Sequence, residues 1–220
     1  MNETFEIIQS EFAQASFETF EMVFISMAAA AVIGTLLGLV LHLTSNPLFY
    51  RNRIINGIAG TIVNIIRSMP FIILIIVLIP VTRILVGTSI GALAASVSLS
   101  IASIAFFARL VENAFSEVDK GVIEAAVAAG AGTFLIIRKV LFVEAMPALV
   151  RALTVTFVSI IGYSAMAGAV GGGGIGNLAI MYGYNRYQTG VLLVTVVVLI
   201  IIVQLGQWIG DKIAVALTRK

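Results

Sequence analysis

Residues 22–41 contain no charged side chain, and the chain repeats that pattern at 84–108, 152–185 and 187–210. A helix rises about 1.5 Å per residue, so about 20 apolar residues cross the roughly 30 Å hydrocarbon core of a bilayer. Each stretch is long enough for that crossing. A fifth candidate, residues 57–80, is long enough but contains Arg67. The expected spans are therefore 22–41, 57–80, 84–108, the first part of 152–185, and 187–210. The region 111–147 carries most of the remaining charge and reads as soluble. Overall 60% of the 220 residues are hydrophobic and 11% are charged. Soluble domains are about half apolar and about one quarter charged, so a single water-facing core cannot hide this much apolar surface. The fold class that follows is all-α and transmembrane, a five-span helical bundle.

Lysine and arginine favour the cytoplasmic side of a membrane protein. With the N-terminus outside, the outer segments hold only Arg83 and Arg186. The inner side takes Arg51, Arg53, Arg67, Arg109, Lys120, Arg138, Lys139, Arg151, Lys212, Arg219 and Lys220. The expected orientation is N-out and C-in, with Tyr50 and Trp208 near the inner interface. The first 21 residues hold five glutamates and no Lys or Arg. That charge is wrong for a secretory signal, and the N-terminus is expected to be kept. The expected organisation is an extracytoplasmic segment 1–21, a transmembrane domain 22–210 with a cytoplasmic loop 112–147, and a cytoplasmic tail 211–220.

Several chemistries are weak or excluded. There is no cysteine and one histidine, His42, so no metal site is expected. A net charge of +2 with no basic patch gives no footing for nucleic acid. GTSIG at 87–91 matches the GxSxG nucleophile elbow, but that chemistry needs a base beside the serine. His42 and Ser89 are expected at opposite faces of the bilayer, so no catalytic residue is assigned. GGGGIG at 171–176 satisfies GxGxxG, yet a membrane helix precedes it and no acid follows within reach. The glycines read better as a bend or broken helix on the outer side. Such irregular backbone survives at membrane depth only where it is buried in protein or lines a wet cavity.

No Asp or Glu occurs in 22–111 or in 145–210. Proton- and sodium-coupled carriers place carboxylates within their spans. A transporter of this composition draws its energy from elsewhere. Arg67 is the exception within a span, either snorkelling to the inner headgroups or pairing inside the bundle. Gly34 and Gly38 form a GxxxG, and Gly91, Ala95, Ser96 and Ser100 line one face of the third span. Small residues of this kind let backbones approach closely, within one subunit or between two.

The inner loop is the most informative segment. EAAVAAG at 124–130 reads as a short helix of small residues stopped by glycine. Thr133 is placed to cap a second helix over 134–142. Arg138 and Lys139 lie near the end of that helix, where cations suit its dipole. Together the two helices form a small-surfaced knob.

Glu124, Ala125, Ala126 and Gly130 resemble the EAA loop of ABC importer permeases. The resemblance extends to VNIIRSMPFIIL at 63–74, IPVTR at 79–83, VGTSIG at 86–91, ARLVENA at 108–114, RKVL at 138–141 and GYSAM at 162–166 with the following glycines. This combination is similar to the methionine-uptake group of those permeases, from about residue 46 to the end. Val143 stands where the family loop usually has proline, and Gly132-Thr133 replace its usual Thr or Ser followed by Pro. These departures bear on where each coupling helix ends.

The resemblance implies a type I ABC importer permease acting as a homodimer in a bacterial inner membrane. Its implied partners are a second copy, two ATP-binding subunits, an extracytoplasmic substrate-binding protein and membrane lipid. The chain itself is expected to be no enzyme and to bind no cofactor; ATP-Mg belongs to the partner ATPase, in keeping with the missing GxxxxGK[ST] motif. The implied coupling residues are Glu124, Ala125, Ala126, Ala129, Gly130 and Arg138. An importer opening between two subunits should draw its substrate path from the fourth span, at Tyr163, Ser164 and Met166. The substrate expected is L- and D-methionine, with another small amino acid or peptide as the alternative. An autonomous channel or secondary carrier is the competing class.

Overall fold

The structure, a computed structural model, describes residues 2–218. The assignments of Met1, Arg219 and Lys220 lie outside these residues. The described chain is helical throughout, joined by short turns. We number its helices α1 (2–45), α2 (Arg53–Ser68), α3 (Phe71–Val77), α4 (Ile79–Val86), α5 (Ala92–Ser116), α6 (Lys120–Ala128), α7 (133–169), α8 (174–184) and α9 (Thr189–Thr218). Four helices are long and apolar enough to cross a membrane, and the bent pair α2–α3 brings the number to five.

α5 is the central post. Its Ala94, Ala95, Ser96, Ser98, Leu99, Ala102 and Ala105 are buried. α1 packs along it through the GxxxG pair. A Cβ at Gly38 would lie 2.5 Å from the carbonyl oxygen of Ala108, and one at Gly34 would lie 3.0 Å from Phe107. The pair therefore serves a contact within one subunit. Ser103 adds a hydrogen bond from its hydroxyl to the Ser26 carbonyl.

The helix ends differ from the sequence reading at several points. No break separates the described part of 1–21 from the first span: the helix runs unbroken from Asn2 to Ser45, through a π-turn at Ala30–Gly34. Its first half packs on α8 and α9 through Ala15, Ile175, Leu178 and Val191. The second span, read as continuous over 57–80, is bent by 111° between α2 and α3. The cause is Pro70, which cannot donate a backbone hydrogen bond and holds Met69 extended (φ −84°, ψ 132°). The third span runs Ala92–Ser116 rather than 84–108, so Arg109 and Glu112 belong to its last turns. Residues 84–86 complete α4 instead.

The second loop helix does not stop near Phe142. It continues as α7 to Ala169, a single 37-residue helix with a π-turn at Ile137–Leu141 and Pro147 inside it. Pro147 sits in helical backbone without ending it, since neighbouring turns can carry one missing hydrogen bond. Residues joining helices within 112–147 thus reduce to 117–119 and 129–132. After α7 the glycine run breaks the helix as expected, with Gly171, Gly173 and Gly174 at positive φ. α1 caps the restart: Gly174 N–H donates to Glu18 Oε2 at 2.6 Å, and Ile175 N–H donates to Thr19 Oγ1 at 2.8 Å.

Candidate functional site

Two places in the bundle carry the candidate residues. The first is the knob at one end, α6 and the start of α7. Asp119 caps α6 by accepting the Gly121 N–H at 2.6 Å. At the other end Gly130 N–H donates to the Val127 carbonyl at 2.9 Å, and Ala131 N–H donates to the Ala126 carbonyl at 3.0 Å. These paired bonds make a Schellman turn, which needs a left-handed residue after the helix; Gly130 supplies it at φ 79°. Thr133, expected as a cap, is instead the first residue of α7, whose N-cap is Gly132 with no side-chain bond.

The knob is fixed to the bundle from beneath. Ile123, Ile136 and Leu141 are buried with Phe115 and Val118 in one core cluster. The opposite surface is open: Glu124, Ala125, Ala129, Gly130 and Arg138 are exposed, and Ala126 is half-buried. Among the described residues neither Glu124 nor Arg138 has an ion-pair partner within the chain; the one salt bridge is Arg109–Glu112, at 2.5 Å. Val127 and Phe134 are 49% and 75% exposed on the same knob. Sequence reasoning missed both as contact residues. Their signal was present, as large apolar residues beside the small-residue helix.

The second place lies where α2, α3, α5 and α7 meet. Tyr163 stacks on Phe71 with centroids 4.8 Å apart and planes 15° apart. The ring borders a cavity of about 160 Å³ that Arg67, Met69 and Phe106 also line. Met166, one turn further along α7, is 46% exposed. Ser164 does not join them. It is buried, and its hydroxyl donates to the Ile161 carbonyl at 2.8 Å. Successive helical positions point about 100° apart, which turns Ser164 away from the face that Tyr163 and Met166 share. Phe71 and Arg67 are the residues of this site that the fourth-span argument passed over.

The hydrolase and dinucleotide motifs stay separate from any chemistry. Ser89 Oγ is 3.4 Å from Arg83 Nε, while His42 Nδ1 is 3.3 Å from Ser116 Oγ at the other end of the bundle. The glycine run has α7 before it and α1 against it. Its Gly171 carbonyl accepts the Gly91 N–H at 2.8 Å, tying the two glycine turns at one end of the bundle.

The family model for the binding-protein-dependent transport system inner membrane component matches residues 30–220. The chain belongs to that family. As a permease of this family it is a multi-pass inner-membrane protein and a transport subunit. It is 47% identical over 199 residues to a probable D-methionine transport system permease protein MetI of Vibrio cholerae, covering 90% of this chain and 88% of that one. It is 51% identical over 174 residues to the methionine import system permease protein MetP of Bacillus subtilis, covering 79% and 78%. A solved structure of the MetNI methionine ABC transporter in an inward-facing conformation superposes with a TM-score of 0.89 at 45% identity, over 94% of this permease and 95% of that chain. An amino acid ABC transporter solved with histidines shares the fold at 20% identity and a TM-score of 0.74.

Proposed function

We propose that this permease forms the membrane-spanning half of an ATP-driven importer that carries methionine, L- and D-, into the cytoplasm. It acts as a homodimer, each copy resting on a cytoplasmic ATP-binding subunit, with an extracytoplasmic binding protein delivering the substrate. The observation that carries the reading is the knob. A rigid turn with an exposed small-residue helix, an unpaired glutamate and two exposed apolar side chains is built for a partner surface. Family membership and relatives named for methionine transport supply the rest. In this reading Glu124, Ala125, Ala126, Ala129, Gly130 and Arg138 meet the ATPase. ATP-Mg is held there, and this chain performs no chemistry of its own. The 1–21 segment then faces outside, 22–210 forms the membrane domain with its 112–147 region on the cytoplasmic side, and 211–220 is the cytoplasmic tail.

The substrate path runs between the two copies past Tyr163 and Met166. A flexible thioether adapts to a passing apolar side chain, and a tyrosine ring offers apolar area with one polar handle. The test is uptake of radiolabelled L- and D-methionine by vesicles holding the permease, its ATPase and the binding protein. ATP-dependent uptake of both isomers is expected. Met166→Glu, which puts a charge in the path, should lower it at least tenfold in assembled complexes. Normal uptake by that variant would remove Met166 from the path. Uptake of a different amino acid in place of methionine would leave only the importer class.

A further inference from the structure

Arg67 has no counter-charge anywhere that the membrane could supply one. It lies at the end of α2, level with Ala102 and Phe106 near the middle of the 25-residue α5. Among the described residues its guanidinium makes no hydrogen bond and no ion pair. No acid occurs in 22–111 or 145–210, so a second copy of the chain brings none to this depth either. The nearest carboxylate along α5, Glu112, is already held by Arg109. With the middle of α5 taken as the bilayer midplane, lipid phosphates sit about 15 Å away, half the core thickness, beyond an arginine's reach. An ionised side chain at this depth is costly and marks a substrate or ion pathway unless it is paired. Its depth also argues against the headgroup-snorkelling alternative.

The surroundings define what would pair with it. Arg67, exposed on the single subunit, lines a cavity of about 160 Å³ together with Met69, Phe71, Phe106 and Tyr163. Drug-sized ligands occupy about 300–1,000 Å³, so this site suits one small solute. Arginine presents a planar fork of donors that matches a carboxylate bidentately. The opposite wall is aromatic and thioether, suited to an apolar side chain. The break at Pro70 leaves carbonyls of the last turn of α2 without helical donors, and these can accept from an ammonium.

We propose that Arg67 receives the α-carboxylate of the amino acid in transit, at a midplane subsite where Phe71 and Tyr163 receive its side chain. The proposal rests on the importer reading above. It makes Arg67 a specificity residue for the amino-acid class, and the cavity walls a weaker filter for the side chain.

The test uses the assembled complex in vesicles with saturating binding protein. Arg67→Gln, Arg67→Lys and wild type are compared for methionine uptake, with co-purified ATPase per permease as the assembly control. Arg67→Gln should assemble normally and lose uptake at least tenfold through kcat. Arg67→Lys, which keeps the charge, should recover a substantial part. During turnover photo-methionine, which carries a diazirine in its side chain and an intact carboxylate, should label residues 66–74 or 163 in the wild type. Excess methionine should compete this labelling away and methioninamide, which lacks the carboxylate, should not. Wild-type uptake by Arg67→Gln, labelling that spares residues 66–74 and 163 altogether, or equal competition by methioninamide would each overturn the assignment. Vesicles that import another amino acid but not methionine would overturn the methionine reading alone. The Arg67 assignment then stands if Arg67→Gln abolishes that import, and falls if it does not.

Discussion

Gly130 has open space around its Cα and a φ of 79°, so backbone strain and bulk can be separated there. A side chain at a left-handed position costs about 1–2 kcal/mol whatever its size. Gly130→Ala carries that strain and adds one methyl. Gly130→Trp carries the same strain and adds a large ring at a position where a Cβ meets open space. The expected outcome is that Gly130→Ala loses a little thermal stability and keeps coupled transport. Gly130→Trp should reach the membrane, yet hydrolyse ATP without uptake or fail to retain the ATPase. Uptake and ATPase activity measured on the two purified complexes decide it. Equal behaviour of the two variants would mean that the turn matters only for its own fold. Charge reversal at exposed Glu124 should weaken ATPase retention further, since none of the described residues pairs with that carboxylate.

The helix ends show which features the sequence made legible. The spans announced themselves because an uncharged run of about 20 residues has one stable home. The glycine stop of α6 was equally legible, because the left-handed residue of a Schellman turn is usually glycine. Pro70 was not read as a break, although its missing N–H is visible in the sequence; apolar residues on both sides masked it. The joining of the second loop helix to α7 was hidden by Pro147, which reads as a helix stop but is absorbed inside one. Ser164 was misplaced because spacing names a face only once a neighbouring residue fixes the phase. The stacking of Phe71 on Tyr163 supplies that phase. At this scale the contact of α1 with α5 is exacting, since Gly38 leaves no room for a Cβ. Gly38→Leu should destabilise the permease by about 1–3 kcal/mol through overpacking. The check is a lower melting temperature of the purified subunit; an unchanged one would show that α1 can shift along α5.

Across the whole molecule, charge and geometry divide the bundle into two ends in the same way. Ser45, Ser116 and the knob lie together at one end, where His42 meets Ser116. Thr218 accompanies them on the cytoplasmic side of the proposed orientation, 3.4 Å from Arg151. Gly91, Gly171 and Gly174 lie at the other, with the first turns of α1 and α9 beside each other at Thr4 and Gly190. Of the eleven lysines and arginines among the described residues, only Arg83 and Arg186 fall towards that second end. An excess of cations marks the cytoplasmic face, so in the proposed orientation the knob lies inside and both glycine turns outside. The chain has no cysteine, so a single introduced one reports alone. Ser10, Thr88, Tyr184, Ser45, Ser116 and Thr218 are all exposed and therefore reachable by a maleimide. Cysteines at 10, 88 and 184 should react with a membrane-impermeant maleimide applied to intact cells. Those at 45, 116 and 218 should react only after the membrane is opened. Labelling at 116 from outside would reverse the orientation, and with it the side on which an ATPase could reach the knob.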